Sequence, residues 1–139
     1  MKKLYTLVVL FFIGFIGNAQ IINIPDANFK YELLISNTAN GTAQDLDGNN
    51  LAIDANGNNE IEVSEALQVS FLNLNFKGIN SLTGLAYFTN LKTLDCSGNP
   101  ITVLDVSTLT LLENLHCEYA NINSLNLNVI IPIHPRLVN

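Results

Sequence analysis

An α/β solenoid of about three 21–22-residue turns, closed by an N-terminal helical cap, is the fold class that this sequence predicts. Three observations lead there. Leu91, Leu94, Cys96, Ile101, Leu104 and Val106 fall on Leu112, Leu115, Cys117, Ile122, Leu125 and Leu127 when the chain is shifted by 21 residues. A further shift of 22 toward the N-terminus brings Val69, Leu72, Leu74, Ile79 and Leu82 into the same slots. Finally, the spacing L-x-x-L-x-C-x-x-N-x-I over residues 91–101 is the leucine-rich-repeat signature, in which each turn contributes one short strand.

The elements follow in chain order. Residues 1–19 read as a secretory signal peptide: Lys2 and Lys3 form the charged region, residues 7–16 the apolar run, and Gly17, Asn18 and Ala19 a small-residue cleavage site. From Ile24 to Leu34 the chain reads as a helix, with Pro25 suited to its first turn, Asp26 to its positive end, and Phe29 and Leu33 on one face. So short a helix needs a surface to cover, and the open end of a solenoid needs a cap. Residues 36–50 are rich in Asn, Gly, Thr and Asp and read as a loop without regular structure. Residues 64–67 suggest a helical turn leading into the first strand, near residues 71–75.

Alternation along each strand points Leu72, Leu74, Leu94, Cys96, Leu115 and Cys117 inward. It turns Asn73, Asn75, Thr93, Asp95, Ser97, Asn114, His116 and Glu118 toward the concave face, the default binding surface of a curved solenoid. Asn99 takes the slot from which a buried asparagine satisfies backbone groups at the strand exit; Lys77 and Ala120 hold that slot in the flanking turns. After Leu127 the pattern fails, and residues 128–139, with Pro132 and Pro135, read as an irregular tail or the stub of a longer array. The expected division is therefore a signal peptide at 1–19, a cap at 20–68, repeats at 69–127 and a tail at 128–139.

Once Lys2 and Lys3 leave with the signal, four basic residues face twelve acidic ones, a net charge near −8. That disfavours nucleic acid and anionic membranes, both of which attract clustered Lys and Arg. No membrane span is expected after signal cleavage. The two cysteines, Cys96 and Cys117, lie one repeat apart and read as buried core thiols, with a bridge between neighbouring strands as the alternative.

Residues 54–65 place oxygen donors at the spacing of an EF-hand calcium loop, with Ile61 at the apolar eighth position. Asp54, Asn56, Asn58, the Glu60 carbonyl, Glu62 through water and Glu65 form the expected shell for a hard divalent cation, Ca2+. Asn59 replaces the usual glycine at the sharp turn, and Asn tolerates the left-handed conformation required there. No zinc spacing, phosphate loop or nucleophile elbow is present in the sequence. His116 and Cys117 are adjacent on one strand and so point to opposite faces, which prevents them from sharing a proton. An enzyme is therefore not expected.

On these residues the chain resembles secreted, internalin-like bacterial leucine-rich-repeat proteins. The run Ile24, Pro25, Asp26, Asn28 and Phe29 looks like the cap of that family, residues 53–67 are similar to the loop that precedes its repeats, and residues 91–99 and 104–112 resemble its repeat body. The resemblance implies a non-enzymatic, secreted or cell-surface interaction module that binds a protein or glycan through its concave strand face. The sequence leaves two other readings open: a calcium-stabilised structural domain, and a non-functional truncated fragment of a longer repeat protein.

Overall fold

The computed structural model describes residues 19–127. The expected export segment, Ala19 apart, and the expected irregular tail lie outside the described residues.

Helix α1 (Ala27–Leu34) begins at an aspartate cap. Asp26 Oδ1 accepts from the N–H groups of Asn28 and Phe29, both at 3.0 Å. Its Oδ2 accepts from the N–H groups of Asn80 and Ser81 at 2.9 and 3.1 Å. Burial alone would raise the Asp26 pKa, but these four backbone amides outweigh it and hold the carboxyl below its ordinary value. One side chain thus starts the helix and pins it to a segment 54 residues later. Pro25 stands before the cap rather than inside the first turn. The helix buries Phe29 and Leu33 and is flanked by two ion pairs, Lys30 with Glu60 at 2.7 Å and Lys77 with Glu32 at 3.0 Å.

Strand β1 (Ala43–Gln44) lies within the stretch expected to be irregular. It runs antiparallel to β2 (Phe71–Asn73), with Ala43 opposite Leu72 and Gln44 opposite Phe71. The turn between them is α2 (Val63–Ala66), closed by a capping box in which Glu62 and Glu65 each accept from the other's end of the turn. Parallel pairing then joins β2 to β3 (Thr93–Asp95) and β3 to β5 (Asn114–His116), for a sheet order β1-β2-β3-β5. Strands β4 (Val103–Asp105) and β6 (Ser124–Asn126) form a second, two-stranded parallel sheet.

This arrangement corrects the expected α/β solenoid. The described residues hold two short α-helices, a mixed sheet with one antiparallel edge strand, and a separate pair of parallel strands, without a closed or coiled array of leucine-rich repeats. The apolar columns specify which residues point inward and which strands pair in register. They do not specify what closes the sheet: the Asn/Gly-rich segment supplies a short antiparallel edge, which exposed sheet edges favour because it leaves fewer unpaired backbone groups.

One continuous core joins the N-terminal segment to the sheets. Phe29, Leu33, Ile53, Ile61, Leu72, Leu74, Ile79, Leu94, Cys96 and Ile101 are all essentially inaccessible. Leu115 on β5, the last strand of the sheet among the described residues, is only half-buried. Cys96 and Cys117 are buried free thiols, and desolvation by burial pushes the Cys96 thiol up to about 12. Asn99 is buried at the exit of β3. Its amide donates to the carbonyls of Leu74, Cys96 and Ser97 at 2.7, 2.9 and 3.2 Å, and its Oδ1 accepts from the N–H groups of Lys77 and Ile79, each at 3.0 Å.

Candidate functional site

The outward face of the four-stranded sheet collects the polar residues that the alternation assigned to it. Parallel register sets Thr93 beside Asn114, and Asn73 beside Asp95 beside His116. Hydrogen bonds tie the rows together. Asn114 Nδ2 donates to Thr93 Oγ1 at 3.3 Å, Asn75 Nδ2 to Asp95 Oδ2 at 3.5 Å, and Ser97 Oγ to Glu118 Oε2 at 2.7 Å. His116 Nδ1 lies 3.8 Å from Glu118 Oε1.

Part of this polarity serves the backbone. Asn73 accepts from the N–H of Asn75 at 3.2 Å and Asp95 from the N–H of Ser97 at 3.0 Å, each closing a turn two residues on. Ser97, named as a surface residue by alternation, is buried beneath its neighbours. The polar residues that reach solvent are therefore His116 and Asn114, both exposed, together with half-exposed Asn73, Asn75, Thr93, Asp95 and Glu118. The Ser97 hydroxyl first, and His116 to a lesser degree, hold the Glu118 carboxyl below its ordinary pKa, so the face carries negative charge at neutral pH.

Two residues of this face have no counterpart in the alternation argument. Phe76 and Tyr119 are 71% and 78% exposed, the most open of the large apolar side chains among the described residues. With Gly98 they occupy one column at the strand exits, and all three are left-handed, at φ of +53°, +66° and +58°. That conformation costs a non-glycine residue roughly 1–2 kcal/mol. The signal was present in the sequence: the same 22- and 21-residue shifts that align the leucines align Phe76, Gly98 and Tyr119.

The 54–65 loop forms a second polar cluster. Asp54 accepts from the N–H groups of Gly57, Asn58 and Asn59 at 2.8 to 3.1 Å. The amides of Asn56 and Asn58 donate to the two oxygens of Glu62 at 3.2 and 2.7 Å. Glu65 accepts from the N–H groups of Ala55 and Glu62 at 2.9 and 3.1 Å. Asn59 is left-handed at φ +63°, as the tight turn demands. The Glu60 side chain turns away to Lys30, which leaves only its carbonyl for the loop. Glu62 and Glu65 are both buried, and their carboxyls lie against one another. Desolvation and the neighbouring Glu62 raise the Glu65 pKa, while the contact with Glu65 and the hydrogen bonds from Asn58 and Asn56 lower that of Glu62. Among the described residues no three His, Cys, Asp or Glu side chains gather as a metal site. No helix among the described residues is long and apolar enough to cross a membrane.

No protein-family profile and no curated protein matches the chain. Solved structures do match its fold. One, from Clostridium perfringens ZmpB, contains CBM51-2 in complex with GlcNAc and INT domains; it is 26% identical, with a TM-score of 0.51 over 70% of this chain and 17% of that one. A second ZmpB structure, of CBM51-2 and INT domains, is 24% identical with the same TM-score and coverage. An internalin (inlF) from Listeria monocytogenes str. 4b F2365 is 23% identical, with a TM-score of 0.51 over 78% of this chain and 32% of that one. This chain thus spans no more than about a third of any of these neighbours, and its fold is similar to a part of an internalin and of proteins that carry binding domains.

Proposed function

We propose that this chain is a non-enzymatic binding module, exported from the cell, that holds a protein or glycan partner against the outward face of its four-stranded sheet. The observation that carries the reading is the register-locked set Asn73, Asp95, His116 and Glu118, in which Asn73, Asp95 and Glu118 are fixed by hydrogen bonds before any partner arrives and His116 lies beside Glu118. Preorganised polar groups lose less entropy on binding than mobile ones, so even a small face of this kind can discriminate. The fold's likeness to a chain holding a GlcNAc-bound carbohydrate-binding module supports a glycan, and the internalin likeness supports a module of the same general kind. The test is a triple variant, Asp95→Asn with His116→Ala and Glu118→Gln, compared with the parent on immobilised glycans and on extracellular proteins. Loss of about tenfold or more in affinity is expected. Undiminished capture by the triple variant would sink the proposal.

A second reading, of the same module stabilised by Ca2+, is favoured by the buried Glu62 and Glu65 pair, for which no Lys or Arg ion pair is found among the described residues. Asp54, Asn56, Asn58, the Glu60 carbonyl, Glu62 and Glu65 would supply the oxygens, with the two asparagine amides turning their Oδ1 atoms inward. A cation would compete with protons for the Glu65 carboxyl. Affinity should therefore rise with pH through the raised Glu65 pKa and fall as the solution is acidified. Calorimetry with calcium at pH 5 and pH 7 on the parent, Asp54→Ala and Glu65→Ala checks this; a parent that gives no heat at either pH ends it.

A further inference from the structure

The column formed by Phe76, Gly98 and Tyr119 carries an inference that rests on the binding-face reading and chooses between its two partner classes. The parallel hydrogen-bond ladder continues past the strands to reach it: Phe76 N–H donates to the Ser97 carbonyl at 2.9 Å and Gly98 N–H to the Glu118 carbonyl at 2.8 Å. The three residues are thus neighbours in the turns that follow adjacent strands. A left-handed slot is best filled by glycine, and the middle position is glycine. The outer two hold aromatic rings whose exposure of 71% and 78% returns little of the strain through burial.

The middle glycine has a second role. A β-carbon at position 98 would overlap the Phe76 ring, so the ring lies across the bare backbone of Gly98. The Phe76 ring and the Gly98 backbone beneath it thus share one apolar surface, and Tyr119 stands in the next turn of the column. The residue preceding each member of the column is polar: Asn75, Ser97 and Glu118, joined by the hydrogen bond between the last two. Strained backbone that keeps apolar groups in solvent is a marker of a recognition site. Exposed aromatic rings beside polar side chains match one ligand chemistry: a pyranose ring lays its C–H face on aromatic carbon while its hydroxyls meet amides and carboxylates at the side. Glu118, Asp95 and the acidic balance of the chain repel sugars that carry carboxylates or sulfates.

We propose that Phe76, Gly98 and Tyr119 form a stacking platform for a neutral pyranose, with Asn75 and Glu118 receiving its hydroxyls. Phe76→Gly and Tyr119→Gly separate this from a structural role, because glycine relieves the left-handed backbone while it removes the ring. The full chain and each variant are titrated by NMR with the N-acetylglucosamine trimer and with cellotriose, with sialyllactose as the anionic comparator, and each is melted. The expected result is millimolar or tighter binding of a neutral trisaccharide by the parent, weaker binding of sialyllactose, and affinity at least about tenfold lower in each glycine variant, at an unchanged or higher Tm. Unchanged affinity in both variants overturns the platform; if that affinity falls in the Asp95, His116 and Glu118 variant, the outward face still binds without it. A parent that binds neither neutral trisaccharide also overturns the platform and leaves the face to a protein partner. Variants that melt several degrees lower assign the rings to packing and overturn it too.

Discussion

Replacing Asn99 with alanine lowers the stability of this fold by on the order of 3–5 kcal/mol, a loss set by the number of buried polar groups it strands. The side chain is 1% exposed and makes five hydrogen bonds, three as donor to carbonyls and two as acceptor from N–H groups. A buried group left without a partner costs about 1–3 kcal/mol, and water reaches this site poorly, so the desolvation term dominates over any gain in local backbone propensity. Asn99→Asp distinguishes donor from acceptor loss. It keeps the bonds from Lys77 and Ile79 but sets a carboxylate against the carbonyls of Leu74, Cys96 and Ser97, and it should be at least as damaging. Urea denaturation of the two variants against the parent measures both effects. Midpoints within about 1 kcal/mol of the parent would mean that the pocket relaxes around the deletion.

The second large effect is expected at Phe29. Phe29→Ala should cost about 3–5 kcal/mol, the range for removing a fully buried aromatic ring from a packed core. Phe29 and Leu33 are both wholly buried, and they are the apolar anchors of an eight-residue helix. A helix of that length does not persist in water by itself, so it exists only while its anchors hold it to the core. Loss of the ring should therefore release the Asp26 contacts to Asn80 and Ser81 as well, and the N–H groups of those residues should gain fast hydrogen exchange. Exchange confined to residues 27–34, with the Asn80 and Ser81 amides still protected, would show instead that the aspartate anchors the segment alone.

Much of the local structure is legible in the sequence because it depends on local rules. The inward column Leu72, Leu74, Leu94 and Cys96 follows from period-two alternation, and all four are fully buried. The pairing of Leu72 with Leu94 and Leu94 with Leu115 follows from the 22- and 21-residue shifts, since in-register apolar columns pair most favourably. Less legible was the segment around Ala43, whose composition reads as loop. It becomes a strand only because β2 offers an unpaired edge, which is a property of the partner and not of residues 43–44. The outward rows were readable as positions, yet burial of Ser97 and exposure of His116 depend on which neighbours stand beside them. The 22- and 21-residue shifts align Phe76 and Tyr119 with Gly98, but that they face solvent in a left-handed backbone is a property of the folded chain alone.

By itself the sequence determined the spacing of the repeated strands, the register set by the 21- and 22-residue shifts, the inward thiols and the composition of the 54–65 loop. These rest on side-chain periodicity and residue chemistry, which act over a few neighbours. The tertiary structure decided the architecture, replacing the expected solenoid with a mixed four-stranded sheet beside a separate two-stranded one. It also decided that Asn99 is a five-bond hub, that Glu62 and Glu65 share a buried site, and that two strained aromatic residues stand open beside the polar rows. Each of these depends on contacts between residues far apart in the chain, whose energy comes from desolvation and edge pairing and is realised only when the whole core closes.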